Sequence, residues 1–349
     1  MKITLLNNLK RTLGILILST ALTGCSFSAP LKSENTMHTT TLFAMDTVME
    51  IQAFGNEEVL TGAEEIIRDI EKKVSVTDPE SEISKLNATG TMELSSDTTE
   101  LLSNALSLCK KTDGALDISV YPVLKAWGFT TSEYQVPSDD ALKSLLENVN
   151  YSDVSLDQNK ASIKDEMQID LGSVTKGYTG STVAEYFREN GVASGLINLG
   201  GNVECVGTKP NGEKWKVAIK SPYNDSKSGV FAVIDAEDVA IITSGGYERF
   251  FEKNGETYWH ILDPQTGYPA KNGLISVTII GKDGLVCDGL STALFVKGLD
   301  RAISFWKENQ DFDAVFITDN GDVYITDGIT NCFSLTSEYY DRKITVIHK

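Results

Sequence analysis

Asp170-Leu171-Gly172-Ser173-Val174-Thr175-Lys176-Gly177-Tyr178 is the stretch on which the reading of the fold turns. It reads as a strand over 167–171 that runs into a glycine-punctuated helix start. A carboxylate, two hydroxyls and one lysine fall within these nine residues. Small residues let a ligand approach the backbone, and a helix N-terminus offers unpaired N–H groups to an anion. An ordinary strand-to-helix turn has the same composition, so the meaning of the stretch depends on the rest of the chain. The helix that follows carries Val183 and Phe187 one turn apart and stops at Gly191, with Val192 beyond, a glycine C-cap pattern.

Outward from this point, helical and strand periods alternate without a break after residue 40. Residues 41–54 read as one strand, and 57–74 as an amphipathic helix with Ile66, Ile67 and Ile70 on one face. The segment 78–87 reads as a polar turn. A helix over 98–112 buries Leu101, Leu102, Ala105 and Leu108 or Cys109, and a short helix over 138–148 leads to hairpin-like strands at 151–156 and 161–164. Downstream, alternating strands dominate from 195 to 261. Gly200-Gly201 reads as a tight turn, and Asn211-Gly212 and Asn254-Gly255 as hairpin signals. A strand over 274–281, helices over 285–297 and 300–309, and strands at 314–318 and 322–326 close the pattern. Helices mixed with hairpins in this way predict an α+β fold with mixed or antiparallel sheets and packed helices, not a doubly wound parallel sheet.

Residues 1–24 carry Lys2, Lys10 and Arg11 ahead of an apolar run over 13–22, which is too short to span a bilayer. Leu22-Thr23-Gly24-Cys25 looks like a bacterial lipobox, which would make Cys25 the lipidated first residue of the mature chain, with an uncleaved anchor as the alternative; either way the folded part is expected outside the cytoplasm, tethered to a membrane. Residues 25–40 read as a lipidated linker and 41–349 as the functional domain. Removing the signal takes three cations with it and moves the formal charge from −18 to −21. An acidic surface of this kind disfavours nucleic acid and anionic lipid as partners. A phosphate-bearing ligand then needs local help from a lysine, a metal or helix N-termini. Cys109, Cys205, Cys287 and Cys332 are far apart with no Cys-x-x-Cys spacing, and they read mostly as buried small hydrophobes, with disulfides left open.

Two further stretches carry chemistry. In Cys287-Asp288-Gly289-Leu290-Ser291-Thr292-Ala293-Leu294, helical spacing groups Asp288, Ser291 and Thr292 on one side. Oxygen donors of that kind suit Mg²⁺ better than zinc, although capping by Asp288 with close small-residue packing gives the same pattern. Histidine is scarce, at three residues. His260, at a strand end entering a Pro/Gly turn, is placed to act as a general base or simply to pin that turn.

Taken as a set, Ala44-Met45-Asp46-Thr47, Ser81-Glu82-Ile83-Ser84, Gly114-Ala115-Leu116-Asp117, Trp127-Gly128-Phe129, the opening stretch and Asn198-Leu199-Gly200-Gly201 form an ordered series. It continues through Thr243-Ser244-Gly245-Gly246-Tyr247, His260-Ile261-Leu262-Asp263-Pro264-Gln265-Thr266-Gly267-Tyr268-Pro269 and Asp288-Gly289-Leu290-Ser291-Thr292-Ala293-Leu294. In identity and order the series resembles the FAD:protein flavin transferases (ApbE-like proteins), from residue 41 to about 326.

The resemblance implies an ApbE-like, T-fold-related single catalytic unit. Its implied activity is Mg²⁺-dependent transfer of the FMN half of FAD to a threonine or serine hydroxyl of an acceptor flavoprotein at or outside the membrane, with release of AMP. Met45, Ala115, Leu116, Asp117, Asp170, Lys176 and Ile261 match FAD-holding positions. Ser173, Asp288, Ser291 and Thr292 match metal positions, some through backbone oxygens, and His260 matches the suspected base. Thr77 stands where the family often has tyrosine, Ser181 where it has aspartate, and Ser291 where it often has aspartate or alanine. An FAD pyrophosphatase giving FMN and AMP, a non-catalytic FAD-binding lipoprotein and a purely structural lipoprotein are the other readings. The one spatial claim is that Asp170–Tyr178 lies beside Asp288 and His260.

Overall fold

The computed structural model describes residues 36–309 and 311–349. The signal segment, Cys25 and the linker up to residue 35 lie outside the described residues. One sheet organises the rest: β1 (Met37–Ala44), β2 (Thr47–Phe54), β3 (Gly195–Leu199), β4 (Asn202–Val206), β5 (Ala240–Gly245), β6 (Leu274–Gly281), β7 (Asp313–Thr318), β8 (Val323–Thr326) and β9 (Ile344–Ile347). Their order across the sheet is their order along the chain. All neighbours pair antiparallel except β8 and β9, which are parallel.

Both faces of this sheet are covered, which explains strands as apolar as Leu-Ile-Ser-Val-Thr-Ile-Ile-Gly in β6. Val277, Ile279, Ala314 and Phe316 face a core shared with helices α2 (Glu82–Thr89), α3 (Ser96–Lys111), α7 (Gly284–Lys297) and α8 (Leu299–Glu308). Their neighbours Ile280, Val315 and Ile317 point the other way, against a three-stranded sheet of Trp215–Lys220, Val230–Ala236 and Phe333–Leu335. Beneath β1–β3, helices α1 (Glu58–Val74) and α6 (Gly172–Glu189) bury Ile67, Val183 and Phe187 against Met49, Ile51 and Ile197. Two short helices, α4 (Tyr121–Trp127) and α5 (Asp139–Leu146), pack with Leu262 in a separate small cluster. The α+β class agrees with the sequence reading.

Five local expectations change. The strand read over 151–156 is a 3-10 turn at Tyr151–Asp153 followed by a strand at Ser155–Asp157. The single strand over 41–54 is a hairpin that already begins at Met37, inside the stretch read as linker. Met45 and Asp46 take φ of 48° and 58°, the left-handed pair that a two-residue hairpin turn requires. Residues 78–87 are not a featureless turn. Ser81 caps α2 by accepting the Ser84 N–H at 2.9 Å, and Gly90 closes the helix at φ 76°. Among the described residues the 167–171 segment pairs with no strand. Met167, Ile169 and Leu171 alternate inward as a strand would, but the Asn87 side chain takes the place of a partner, bonding the Ile169 N–H and C=O at 2.8 and 2.9 Å. Asn211-Gly212 turns the chain between two different sheets, so it closes no hairpin.

Candidate active site

The crossing of α6 and α7 builds the floor of the site. A Cβ on Gly177 would lie 2.7 Å from the Asp288 Cβ and collide with the Gly284 carbonyl, so the two helices meet backbone to backbone there. Gly177 N–H donates to the Asp288 carboxylate at 2.9 Å. The helix α7 is apolar on nearly every side, the mark of a buried helix, and Asp288 is only 5% exposed. Burial pushes its carboxyl pKa up, with the Lys176 ammonium pulling the other way. At the start of α6, Asp170 accepts the Gly172 N–H at 2.9 Å, and burial pushes its pKa up too, against Lys176 and Arg249. Lys176 makes no ion pair among the described residues, so its charge is shared among these groups.

Above the crossing opens a cavity of about 880 Å³. Into it the fold brings Met45, Ala115, Leu116, Asp117, Asp170, Ser173, Lys176, His260, Ile261, Asp288 and Thr292, and the opening stretch does lie beside Asp288 and His260. Ser291 is the exception. Fully buried, it donates its hydroxyl to the Asp288 carbonyl at 2.7 Å, and its oxygen lies 2.7 Å from the Ser244 hydroxyl of β5. Helical spacing puts Ser291 near Asp288, but the back-bond and the sheet packed above turn it away from the cavity. Ser244 takes its place at the cavity wall, where its hydroxyl lies 3.2 Å from that of Thr292. Asp117 lines the cavity with its carboxylate already committed, to Ser119 N–H and Oγ–H at 2.8 and 2.6 Å and to Tyr151 N–H at 3.1 Å. Its side chain therefore shapes the loop that presents Ala115 and Leu116.

The donor set tests a metal directly. No group of three His, Cys, Asp or Glu side chains able to hold an ion occurs among the described residues. Facing the cavity are the buried Asp288 carboxylate and the hydroxyls of Ser173, Ser244 and Thr292, while the Asp117 and Asp170 carboxylates are engaged by local N–H and O–H donors. That set fits Mg²⁺, which keeps several waters and shares substrate phosphates with one or two carboxylates.

His260 follows directly after the strand Glu256–Trp259, whose partner Phe250–Lys253 starts after Arg249. The Arg249 carbonyl accepts both the His260 backbone N–H at 3.1 Å and the ring Nδ1–H at 3.2 Å. A carbonyl only accepts, so Nδ1 carries the proton and Nε2 keeps its lone pair. Burial, reinforced by the nearby Arg249 cation, lowers the His260 pKa to about 4. The ring meets Phe129 edge-on, with centroids 6.3 Å apart. At the cavity mouth the Arg249 guanidinium pairs with Asp46 at 2.5 Å.

Sequence reasoning assigned no role to Arg249 or Ser244. Ser244 sits in the Thr243-Ser244-Gly245-Gly246-Tyr247 motif, where glycines flag a close backbone approach. Nothing local marks Arg249, whose position depends on a hairpin register.

The four remaining cysteines are unpaired, with Cys109, Cys205 and Cys287 buried and Cys332 half-buried.

The family model described as the ApbE family matches residues 45–316. The FAD:protein FMN transferase of Haemophilus influenzae is 33% identical over 272 residues, which cover 74% of this chain and 78% of that protein. The Klebsiella pneumoniae protein of the same name is 30% identical over 301 residues, or 84% of this chain and 93% of its own. Among solved structures, the ApbE protein from Thermotoga maritima superposes with a TM-score of 0.79 at 30% identity, covering 88% of this chain and 100% of that one. The flavin transferase ApbE from Vibrio cholerae gives 0.76 at 27% identity, covering 85% and 100%.

Proposed function

The chain belongs to the ApbE family, and from that premise we propose that it transfers the FMN half of FAD to a threonine or serine hydroxyl of an acceptor protein, in the presence of Mg²⁺, with release of AMP. One observation carries this reading: a neutral histidine with its lone pair free, an unpaired lysine and a buried carboxylate converge from three separate elements on one cavity.

In this reading the acceptor oxygen attacks the phosphorus of the FMN half. The pyrophosphate P–O bond breaks, AMP leaves with the bridging oxygen, and the hydroxyl proton passes to His260 Nε2. Lys176, one turn into α6, faces the phosphates together with the N–H groups of that helix start. Asp288, Thr292 and Ser173 would hold the Mg²⁺, which when bound supplies positive charge against the pyrophosphate. Asp170 fixes the helix start, and the apolar wall of Leu116, Phe129 and Ile261 gives the flavin or adenine ring a dry surface.

The test is direct. The soluble domain is incubated with FAD, Mg²⁺ and a hydroxyl-bearing acceptor domain, and AMP, free FMN and acceptor mass are followed. Acceptor mass rising in step with AMP supports transfer. Free FMN in step with AMP, with no acceptor gain, would make water the nucleophile and overturn the transferase reading. Asp288→Asn keeps an oxygen to accept the Gly177 N–H but loses the charge. The variant is expected to fold and to lose at least about 100-fold in AMP release at limiting Mg²⁺, the scale of removing one electrostatic stabiliser. Wild-type rates in that variant would refute the metal assignment.

A further inference from the structure

We propose that the Asp46–Arg249 ion pair is a positioning device for His260: it holds the Arg249 carbonyl against the imidazole at the cavity mouth and thereby fixes which ring nitrogen faces the acceptor hydroxyl. The inference rests on the reading of His260 as the base.

The ribbon that carries His260 packs its Phe251 and Tyr258 rings on Trp127, so what it needs from outside is a hold on its open end. Its two strands pair over only four residues each, from Lys253 opposite Glu256 to Phe250 opposite Trp259. An isolated two-stranded ribbon is marginal in water. Arg249 and His260 are the next pair outward, at the end away from the Asn254-Gly255 turn, where fraying starts. There the single carbonyl of Arg249 accepts both hydrogen bonds that orient His260. Whatever steadies Arg249 therefore steadies the tautomer.

Asp46 supplies that steadying from the main sheet. It sits in the turn between β1 and β2, whose left-handed pair of residues leaves little freedom. The preceding Met45 N–H is itself bonded to the Glu71 carboxylate of α1 at 2.5 Å. Asp46, Arg249 and His260 all border the same cavity. Both partners of the ion pair are exposed, at 77% and 45% of the side chain. Exposed pairs add little to stability, so the pair is poorly explained as a fold-stabilising contact, and its removal leaves a folded protein to measure.

Arg249 also acts through its charge. The groups facing the imidazole are its own guanidinium, with Asp46 as counter-charge, and the Lys176 ammonium from α6. Asp170 lies within the field of both cations. Removing the Arg249 cation while keeping Asp46 raises the affinity of His260 for a proton.

Four variants test the proposal in the transfer assay. Asp46→Asn and Arg249→Met are each expected to lower kcat about tenfold, part of the 10²–10⁴ that a positioned base contributes, with KM for FAD unchanged. The double variant is expected to be no slower than either single, because both break one linkage. Arg249→Lys is expected to recover most of the rate. Only Arg249→Met should move the acid limb of the pH profile upward. Independent of turnover, nitrogen-15 shifts of the His260 ring should report a protonated Nδ1 in the wild type and mixed tautomers in Asp46→Asn. An Asp46→Asn variant with wild-type kcat and an unmixed tautomer would overturn the proposal, as would a loss confined to KM. If the wild type shows the single tautomer but releases no AMP, the transferase reading fails while the positioning role stands.

Discussion

His260 is held as a neutral imidazole, and that decides how the site responds to acid. Burial lowers its pKa from the ordinary 6.5 to about 4, so the base stays available from neutral pH down to roughly pH 5. Below about 4 the rate should fall tenfold per pH unit as the imidazole protonates. Stability follows the same group with a defined sign. Between about 6.5 and 4 the unfolded chain binds a proton here that the folded chain does not, so this contribution is complete above 6.5 and is lost as pH falls through 4. His260→Ala should keep FAD affinity, lose about 10²–10⁴ in transfer and show a weaker acid dependence of stability over that window. Equilibrium binding by flavin fluorescence, a pH–rate profile and thermal melts check the three parts. Retention of full transfer would remove His260 from the mechanism. At this scale the sequence was informative where chemistry is rare, as with a lone internal histidine. It was misleading where a side chain has a choice of partners, as with Ser291, whose hydroxyl bonds its own helix and β5 in place of facing the cavity.

At the level of elements, the junction of α6, α7 and β4 is both the support of the site and its weak point. Glu204 of β4 is 4% exposed, and its pKa is pushed up to about 7 by burial. It accepts the Ser181 hydroxyl at 3.3 Å, and Ser181 Oγ accepts the Gly284 N–H at 2.8 Å, which ties the first turn of α7 to α6. The sign is opposite to that of His260. The folded chain keeps the Glu204 proton up to about pH 7 while the unfolded chain releases it near 4.5, so this stability is present below 4.5 and lost as pH rises through 7. Glu204→Gln keeps the hydrogen-bond acceptor and cannot ionise. It should raise Tm by about 2–4 °C at pH 8, equivalent to ~1 kcal/mol, and change little at pH 5. An unchanged Tm difference between the two pH values would show that Glu204 does not ionise against the fold. Elements with a strong period, such as α1, α3, β6 and α7, were legible within a few residues because one face or both faces are buried. Those decided by a single side chain were not. The Ser81 cap turns an apparently polar loop into α2, and Asn87 takes the role of a strand partner for 167–171 across 82 residues of sequence.

The whole molecule raises the question of where the cavity meets its acceptor. No helix among the described residues is long and apolar enough to cross a membrane, and the acidic chain, at a formal −18, is repelled by anionic lipid surfaces. If Cys25 carries the lipid, as its Leu22-Thr23-Gly24 context suggests, attachment depends on that one residue. The chain from Cys25 to the first sheet residue, Met37, spans 12 peptide steps, or at most ~43 Å at ~3.3–3.6 Å per residue. Strand β1 then leads straight to Met45 and Asp46 at the cavity mouth. On that reading a tether of this reach would confine transfer to acceptors at the same membrane. Cys25→Ala should move the protein from the membrane to the soluble fraction and leave transfer to a soluble acceptor domain unchanged. It should also slow flavinylation of a membrane-bound acceptor, because the effective concentration supplied by the shared surface is lost. Fractionation together with in-gel flavin fluorescence of the acceptor reads both effects. A Cys25→Ala protein that stays with the membrane would show that something other than this lipid holds it there, and the reach argument would fall with it.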